Sequence, residues 1–268
     1  AFNAHWNTPL EAMNGTIDLA DAYYCKDGKP TTDTKIAELN GGGGLDVSKP
    51  NPAHFENRDP RLYSTLFVPG MLWNGKGGID TSASNPYANV YGGAAASLST
   101  VYVYKYFDPT DTSNSWDNGQ DFYVVRYAEV LLSLAEAMVQ KGGYVYSDVT
   151  ALVNEVRQRA DVNMPTVEEV EGTSLSKDEL LEVIKHERRV ELAFEGHRFW
   201  DLRRWGLGTT VLNGTHMKGV KPTKVGDSFE YQLVDCDGGS TRVYLEKYNR
   251  FPVPLEELQQ NTSCEQFD

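Results

Sequence analysis

The stretch ERRVELAFEGHRFWDLRRWG, running from Glu187 to Gly206, decides how this chain is read. Glu187, Glu191 and Glu195 are spaced i, i+4, i+8, so a helix sets all three on one face. Leu180 and Ile184 continue that stripe back to Ser176-Lys177-Asp178-Glu179, a capping box in which Ser and Glu each bond the other's backbone amide. This predicts a helix from Ser176 to about Phe194 and Gly196, then a short helix over His197–Trp205 carrying Phe199, Trp200, Leu202 and Trp205. A glycosidase also needs two carboxylates on one cleft, about 5 to 9.5 Å apart, and the spacing alone permits that. Arg188, Arg189, Arg198, Arg203 and Arg204 stand close by in sequence, however. A carboxyl that ionises beside a guanidinium has a lowered pKa and is no general acid. An ion-pair network, joined by Asp201, is the expected role, and no catalytic residue is assigned.

Working outward, Phe122–Lys141 is apolar on more than one side and stops at Gly142-Gly143, which predicts a helix ending there. A second helix begins near Ser147, where Val149, Leu152, Val153 and Val156 repeat at i, i+3, i+4, i+7. The two form an antiparallel pair across a short glycine turn, like one tetratricopeptide-type unit. Residues 1–120 are rich in Gly, Pro, Asn and Asp, which predicts turns and loops, with a strand over Tyr102–Phe107. The many Tyr and Trp there argue for ordered loops. Residues 206–268 read as loops with short strands at Phe229–Val234 and Arg242–Leu245, closing on Phe251-Pro252-Val253-Pro254.

Bulk composition excludes several functions. The 268 residues are enough for one large domain with a real core. Acids outnumber bases 38 to 25, a net charge of -13, so nucleic acid and anionic lipid surfaces are repelled. A neutral sugar is indifferent to that charge. No apolar run approaches the ~20 residues of a membrane span. Cys25, Cys236 and Cys264 lack C-x-x-C spacing, and their odd number argues against a disulfide framework. His186-Glu187 begins a zinc-protease motif, but Val190 stands where the second His is required. Phosphate-loop and nucleophile-elbow patterns are absent, and no metal site is assigned.

Trp73, Tyr87, Tyr91 and Trp116 lie among Gly, Asn and Ser. Flat rings cover the apolar C–H faces of sugars at little entropic cost, and Asn74, Asn85, Asn89 and Asp80 can bond hydroxyls. Any one such ring more often pins a loop to a core. Together, Trp73, Asn74, Tyr87, Tyr91 and Trp116 are the expected ligand-binding set, with Trp73 first because Trp offers the largest stacking face.

Five segments, in order, resemble the SusD/RagB family: Asn57-Arg58-Asp59-Pro60-Arg61-Leu62; Arg126-Tyr127-Ala128-Glu129 with Ala135-Glu136-Ala137; Leu152 to Ala160; Glu187 to Gly206; and Phe251-Pro252-Val253-Pro254. The resemblance runs from about residue 9 to residue 261. It departs at Asn261-Thr262, where the family commonly has Asn-Pro. It implies a mainly α fold: a tetratricopeptide-like helical core with long ordered loops and a few short strands. Residues 1–268 would be the carboxy-terminal part of one such domain, with loops over 1–120, the helical core over 121–205, and loops, strands and tail over 206–268. It further implies a surface-exposed lipoprotein of the bacterial outer membrane, anchored through an amino-terminal cysteine outside this chain. Such a protein is not an enzyme. It binds oligosaccharide or polysaccharide and delivers it to a SusC-like TonB-dependent transporter. The motif residues would define the fold rather than touch sugar. No cofactor is assigned; some members of the family hold a calcium ion, which the acidic loops here permit and no D-x-D-x-D-G run demands. Two alternatives stand beside this reading: a transporter scaffold or lid without glycan contact, and, more remotely, a glycoside hydrolase.

Overall fold

The computed structural model describes residues 15–31, 52–71, 101–106, 121–225 and 228–266, with backbone alone at 52–53, 221–225 and 228–231. The fold is mainly helical, as expected. Its elements are α1 (Ile17–Ala22), α2 (Pro60–Thr65), β1 (Leu66–Phe67), β2 (Tyr102–Val103), α3 (Tyr127–Lys141), α4 (Tyr146–Arg157), α5 (Val167–Val170), α6 (Lys177–Glu191), α7 (His197–Arg204), α8 (Gly208–Val211), β3 (Lys218–Val225), β4 (Ser228–Asp235) and α9 (Leu255–Gln260).

Local chemistry sets the ends of the central helices. The capping box at α6 is present: Ser176 Oγ accepts from Glu179 N at 3.3 Å and Glu179 Oε2 accepts from Ser176 N at 2.8 Å. Thr166 and Glu169 cap α5 in the same way. At α3, Gly142 takes φ 78°, a left-handed value that suits glycine, and its N–H closes on Met138 and Val139 carbonyls. Helix α3 begins five residues later than Phe122. Phe122 to Val125 are aromatic or β-branched, poor helix formers, and Arg126 is extended at φ -139°. Helix α6 stops at Glu191 rather than near Phe194, because Phe194 turns left-handed at φ 61°.

Two apolar clusters share α6. Leu180, Leu181 and Ile184 pack with Leu131, Leu132, Ala135 and Val139 of α3 and with Val149, Val153 and Val156 of α4. Val190, further along α6, joins Ile17, Ala20, Tyr23, Leu62, Leu66 and Val101. Burying one Leu or Val of these is worth about 1.5 to 3 kcal/mol. Tyr23 ties α1 to the end of α6, its hydroxyl donating to the Val190 carbonyl at 3.0 Å.

Both sheets are two-stranded and antiparallel. The first pairs Leu66 with Val103 and Phe67 with Tyr102. The strand expected over Tyr102–Phe107 is cut short because Tyr106 turns left-handed at φ 71°. β3 pairs with β4 from Lys218↔Asp235 to Val225↔Ser228, a partner strand the sequence reading did not foresee. Arg242–Leu245 is not a strand. It is held by the Asn213–Thr215 loop: Gly214 N donates to Arg242 O, Arg242 N to Thr215 O and Tyr244 N to Asn213 Oδ1. No disulfide links Cys25, Cys236 and Cys264. Among the described residues no helix is long and apolar enough to cross a membrane.

Candidate functional site

The three glutamates of α6 and the turn beyond it meet a polar layer where the two apolar clusters adjoin. Asp59 caps α2, with Pro60 next, and its side chain takes the Arg61 amide at 2.9 Å. Arg61 is thereby aimed inward, where it holds Asp59 (Nη2–Oδ2 2.7 Å), Glu187 (Nη1–Oε1 2.5 Å) and Glu191 (Nη1–Oε2 2.9 Å). Arg157, at the end of α4, donates to Glu187 Oε2 at 2.7 Å. Arg126, just before α3, reaches Glu195 Oε2 at 2.7 Å, Glu191 Oε1 at 2.6 Å and the Glu191 carbonyl at 2.6 Å. Arg159 also pairs with Glu191, and Lys105 with Glu195 and the carbonyls of Glu191 and Ala193.

A second cluster hangs on α7. Arg188 donates to Asp201 at 3.0 and 3.2 Å, and Arg204 to Asp201 at 2.8 Å and Glu136 at 2.6 Å. Trp205 Nε1 adds a bond to Glu136 at 2.8 Å. Burial pushes the Glu136 carboxyl upward, but Arg204 and Trp205 outweigh it and hold it below its usual range. Asp201 thus joins a network as expected. The partners differ from the expectation: the glutamates pair with arginines distant in sequence, and among the described residues only Arg188 and Arg204 of the five neighbouring arginines form ion pairs, with Asp201 and Glu136. Four of the five segments quoted above send side chains into these clusters (Asp59 and Arg61, Arg126 and Glu136, Arg157 and Arg159, and Glu187 to Trp205), while Phe251 lies apart, exposed against Arg203 and Trp200. Arg58 instead gives its guanidinium to carbonyls: Tyr23 O at 2.9 Å, His54 O at 2.8 Å and Ala20 O at 2.5 Å. Asn154 pins α5, accepting from Val167 N at 2.8 Å.

These carboxylates have no catalytic freedom. Burial raises the Glu187 pKa, yet Arg61 and Arg157 overcome that and hold it at about 2. Glu191 is likewise held low against burial by Arg61, Arg126 and Arg159, and both its oxygens are taken. A carboxyl held ionised and fully paired serves neither as acid nor as nucleophile.

One cleft opens beside this layer. It holds about 440 Å³ and is lined by Tyr104, Tyr106 and Tyr123, with Lys105, Arg126 and Arg159. Tyr106 stacks on Phe122 at 5.3 Å and 25° and lies 5.3 Å from Tyr123. Phe122 and Tyr123 are exposed. Burial and Glu195 push the Tyr106 hydroxyl up to about 12, so it remains a neutral donor. Its left-handed backbone costs about 1 to 3 kcal/mol, strain of the kind that collects at ligand sites. The pre-α3 aromatic run, misread as helix, is the signal that marks this place in the sequence.

Trp73, Asn74, Tyr87, Tyr91 and Trp116 lie outside the described residues. The three described segments that flank them, 52–71, 101–106 and the one that begins at Asp121, all contribute residues to the cleft. Among the described residues no group of His, Cys, Asp or Glu is arranged to hold a metal ion.

A family model described as the SusD family matches residues 3–267. SusD-like protein P2 of Formosa agariphila is 30% identical over 182 residues, which cover 64% of this chain and 34% of that protein. The starch-binding protein SusD of Bacteroides thetaiotaomicron is 27% identical over 201 residues, 73% of this chain and 30% of that protein. A SusD-like protein from Bacteroides fragilis has a crystal structure that superposes with a TM-score of 0.70 at 26% identity, covering 94% of this chain and 46% of that one. The chain therefore spans about a third of the curated relatives it matches and just under half of the solved one.

Proposed function

The chain belongs to the SusD family, and from that premise we propose that it binds oligosaccharide or polysaccharide at the bacterial outer surface, without catalysis, and delivers it to a SusC-like TonB-dependent transporter. The observation that carries the reading is the ring-lined cleft at Tyr104, Tyr106 and Tyr123. Rings there present stacking surface, and the carboxylates behind them are committed to arginines, which favours capture over hydrolysis. Surface exposure on the outer membrane through a lipidated amino-terminal cysteine belongs to the same proposal. Trp73, Asn74, Tyr87, Tyr91 and Trp116 belong to the same proposal as ligand-binding residues that supply stacking faces and amides. A few stacked rings and hydrogen bonds give about -4 to -6 kcal/mol, roughly millimolar to tens of micromolar. The test is a glycan array followed by calorimetry, with starch-binding SusD on starch as positive control. Saturable binding to one glycan class supports the proposal, and silence across the array with the control active overturns it.

A second reading is a transporter scaffold that touches no sugar. It draws on an exposed patch where Arg203 lies 4.3 Å from the Phe251 ring and 5.5 Å from Trp200, with Phe199 alongside. Capture of the transporter that survives Tyr106→Ala and Tyr123→Ala, without glycan binding, favours it.

A further inference from the structure

A larger cleft of about 640 Å³ runs along the other side of α6. Its walls carry Lys185, His186 and Arg189 of α6, Arg198 from the first turn of α7, and Tyr24 and Trp205. Asp178, Glu179, Glu182 and Glu171 line it too, the first two at the amino-terminal end of α6, so along that helix the groove passes from acidic to basic.

The basic end differs from the ion-pair clusters described above. Arg61, Arg126, Arg157, Arg159, Arg188 and Arg204 each meet a carboxylate, and Arg58 is saturated by carbonyls. Arg189 gives one bond, to the Asp18 carbonyl at 2.9 Å. Among the described residues Arg198 makes no hydrogen bond or ion pair, because its helix neighbour Asp201 is committed to Arg188 and Arg204. Burial, and then the neighbouring Arg189, bring Arg198 down to about 10. Arg189 and Arg198 thus line one partly desolvated groove with no carboxylate in hydrogen-bond contact among the described residues, Asp18 and Asp201 acting on them only from further away, and an anion held between them would complete them. Their planar forks match a carboxylate or sulfate.

We propose that the α6–α7 cleft is an anion-binding site in which Arg189 and Arg198 together receive the carboxylate or sulfate group of a small ligand. The volume suits a ligand of one or two sugar rings. The site is separate from the tyrosine-lined cleft and does not rest on the glycan reading. The overall negative charge does not forbid it, since exposed charges beyond about 8 Å are largely screened in physiological salt.

The probes are sodium sulfate, sodium glucuronate and glucose, titrated at ionic strength matched with sodium chloride and followed by calorimetry and Trp fluorescence. Saturable binding of sulfate or glucuronate is expected, with glucose silent. Arg198→Gln should weaken it about tenfold, the loss of one charge-assisted partner. Arg189→Gln should act alike, while Arg203→Gln, on the same helix but stacked on Phe251, should leave it unchanged. Relief of repulsion should keep the melting temperature of Arg198→Gln at or above that of the parent, which verifies folding. Absence of saturable binding by both anions overturns the proposal. So does equal binding in Arg198→Gln and Arg189→Gln, an equal loss in Arg203→Gln, or glucose binding as tightly as glucuronate.

Discussion

Arg61 and Glu187, separated by 126 positions in sequence, meet at 2.5 Å with both side chains buried. The pair joins α2 to the central helix α6. Removing one partner of such a pair leaves a buried charge without compensation. Arg61→Ala is expected to cost ~3 to 5 kcal/mol, since it takes the guanidinium from buried Asp59 and one of the partners from Glu187 and Glu191, which keep Arg157 and Arg126 with Arg159. Glu187→Gln should cost less, because Arg61 keeps two carboxylates. Urea unfolding checks the order, and an Arg61→Ala variant as stable as the parent would refute the structural role given to this layer.

The pH dependence of stability has two windows of the same sign. His186, half-buried, stacked on Tyr24 and donating to the Ala22 carbonyl at 2.7 Å, has its pKa lowered by burial from 6.5 to about 4. Between those values the unfolded chain binds a proton that the folded chain refuses, so stability falls as pH falls. Glu187, held at about 2 against an ordinary 4.5, does the same at lower pH: its contribution is complete above 4.5 and lost as pH drops through 2. Each amounts to about 3 kcal/mol at most. His186→Gln should flatten the upper window and Glu187→Gln the lower one, read from unfolding midpoints across pH. An unchanged upper window in His186→Gln would assign that titration elsewhere.

At the tyrosine-lined cleft, ring and backbone contribute separately. Tyr106→Ala removes a stacking face and retains the left-handed backbone at φ 71°, whereas Tyr106→Gly removes the ring and the strain. Glycan affinity should fall about 5- to 10-fold in both, as for the loss of one ring contact. Stability should be higher in Tyr106→Gly than in Tyr106→Ala by about 1 kcal/mol. Tyr123→Ala should reduce affinity by a similar factor. Affinities equal to the parent in all three would remove this cleft from the glycan site.

The central helices were legible because their signals are local. Ser176 and Glu179 announce the start of α6, Gly142 the end of α3, and the period of Val149, Val153 and Val156 gives the buried face of α4. The charged layer was legible in kind but not in partner. Residue spacing shows that Glu187 and Glu191 share a face, but only the folded chain brings Arg61 and Arg126 to them. β3 was missed because Lys218–Val225 holds Pro222 and three lysines, a poor strand signal overridden by pairing with β4. Phe122–Val125 misled because apolar content was read as helix, where ring and β-branched chemistry favours the extended run that lines the cleft.

The last prediction separates the loop ligands from the cleft. Trp73, one of two Trp in the Gly70–Gly119 stretch, offers a Trp stacking face with Asn74 beside it. If glycan spans both the loop and the tyrosine-lined cleft, Trp73→Ala should cost about 1 to 1.5 kcal/mol of binding, roughly 5- to 10-fold in affinity, without a change in melting temperature. Combined with Tyr123→Ala, the losses should add to within about 0.5 kcal/mol, because the rings would hold different sugar residues and share no partner. Calorimetry on the glycan found by the array measures both. An unchanged affinity in Trp73→Ala with the fold intact removes Trp73 from the site. A double variant no weaker than Tyr123→Ala alone would mean the two rings grip the same sugar, and the extended site would shrink to one contact.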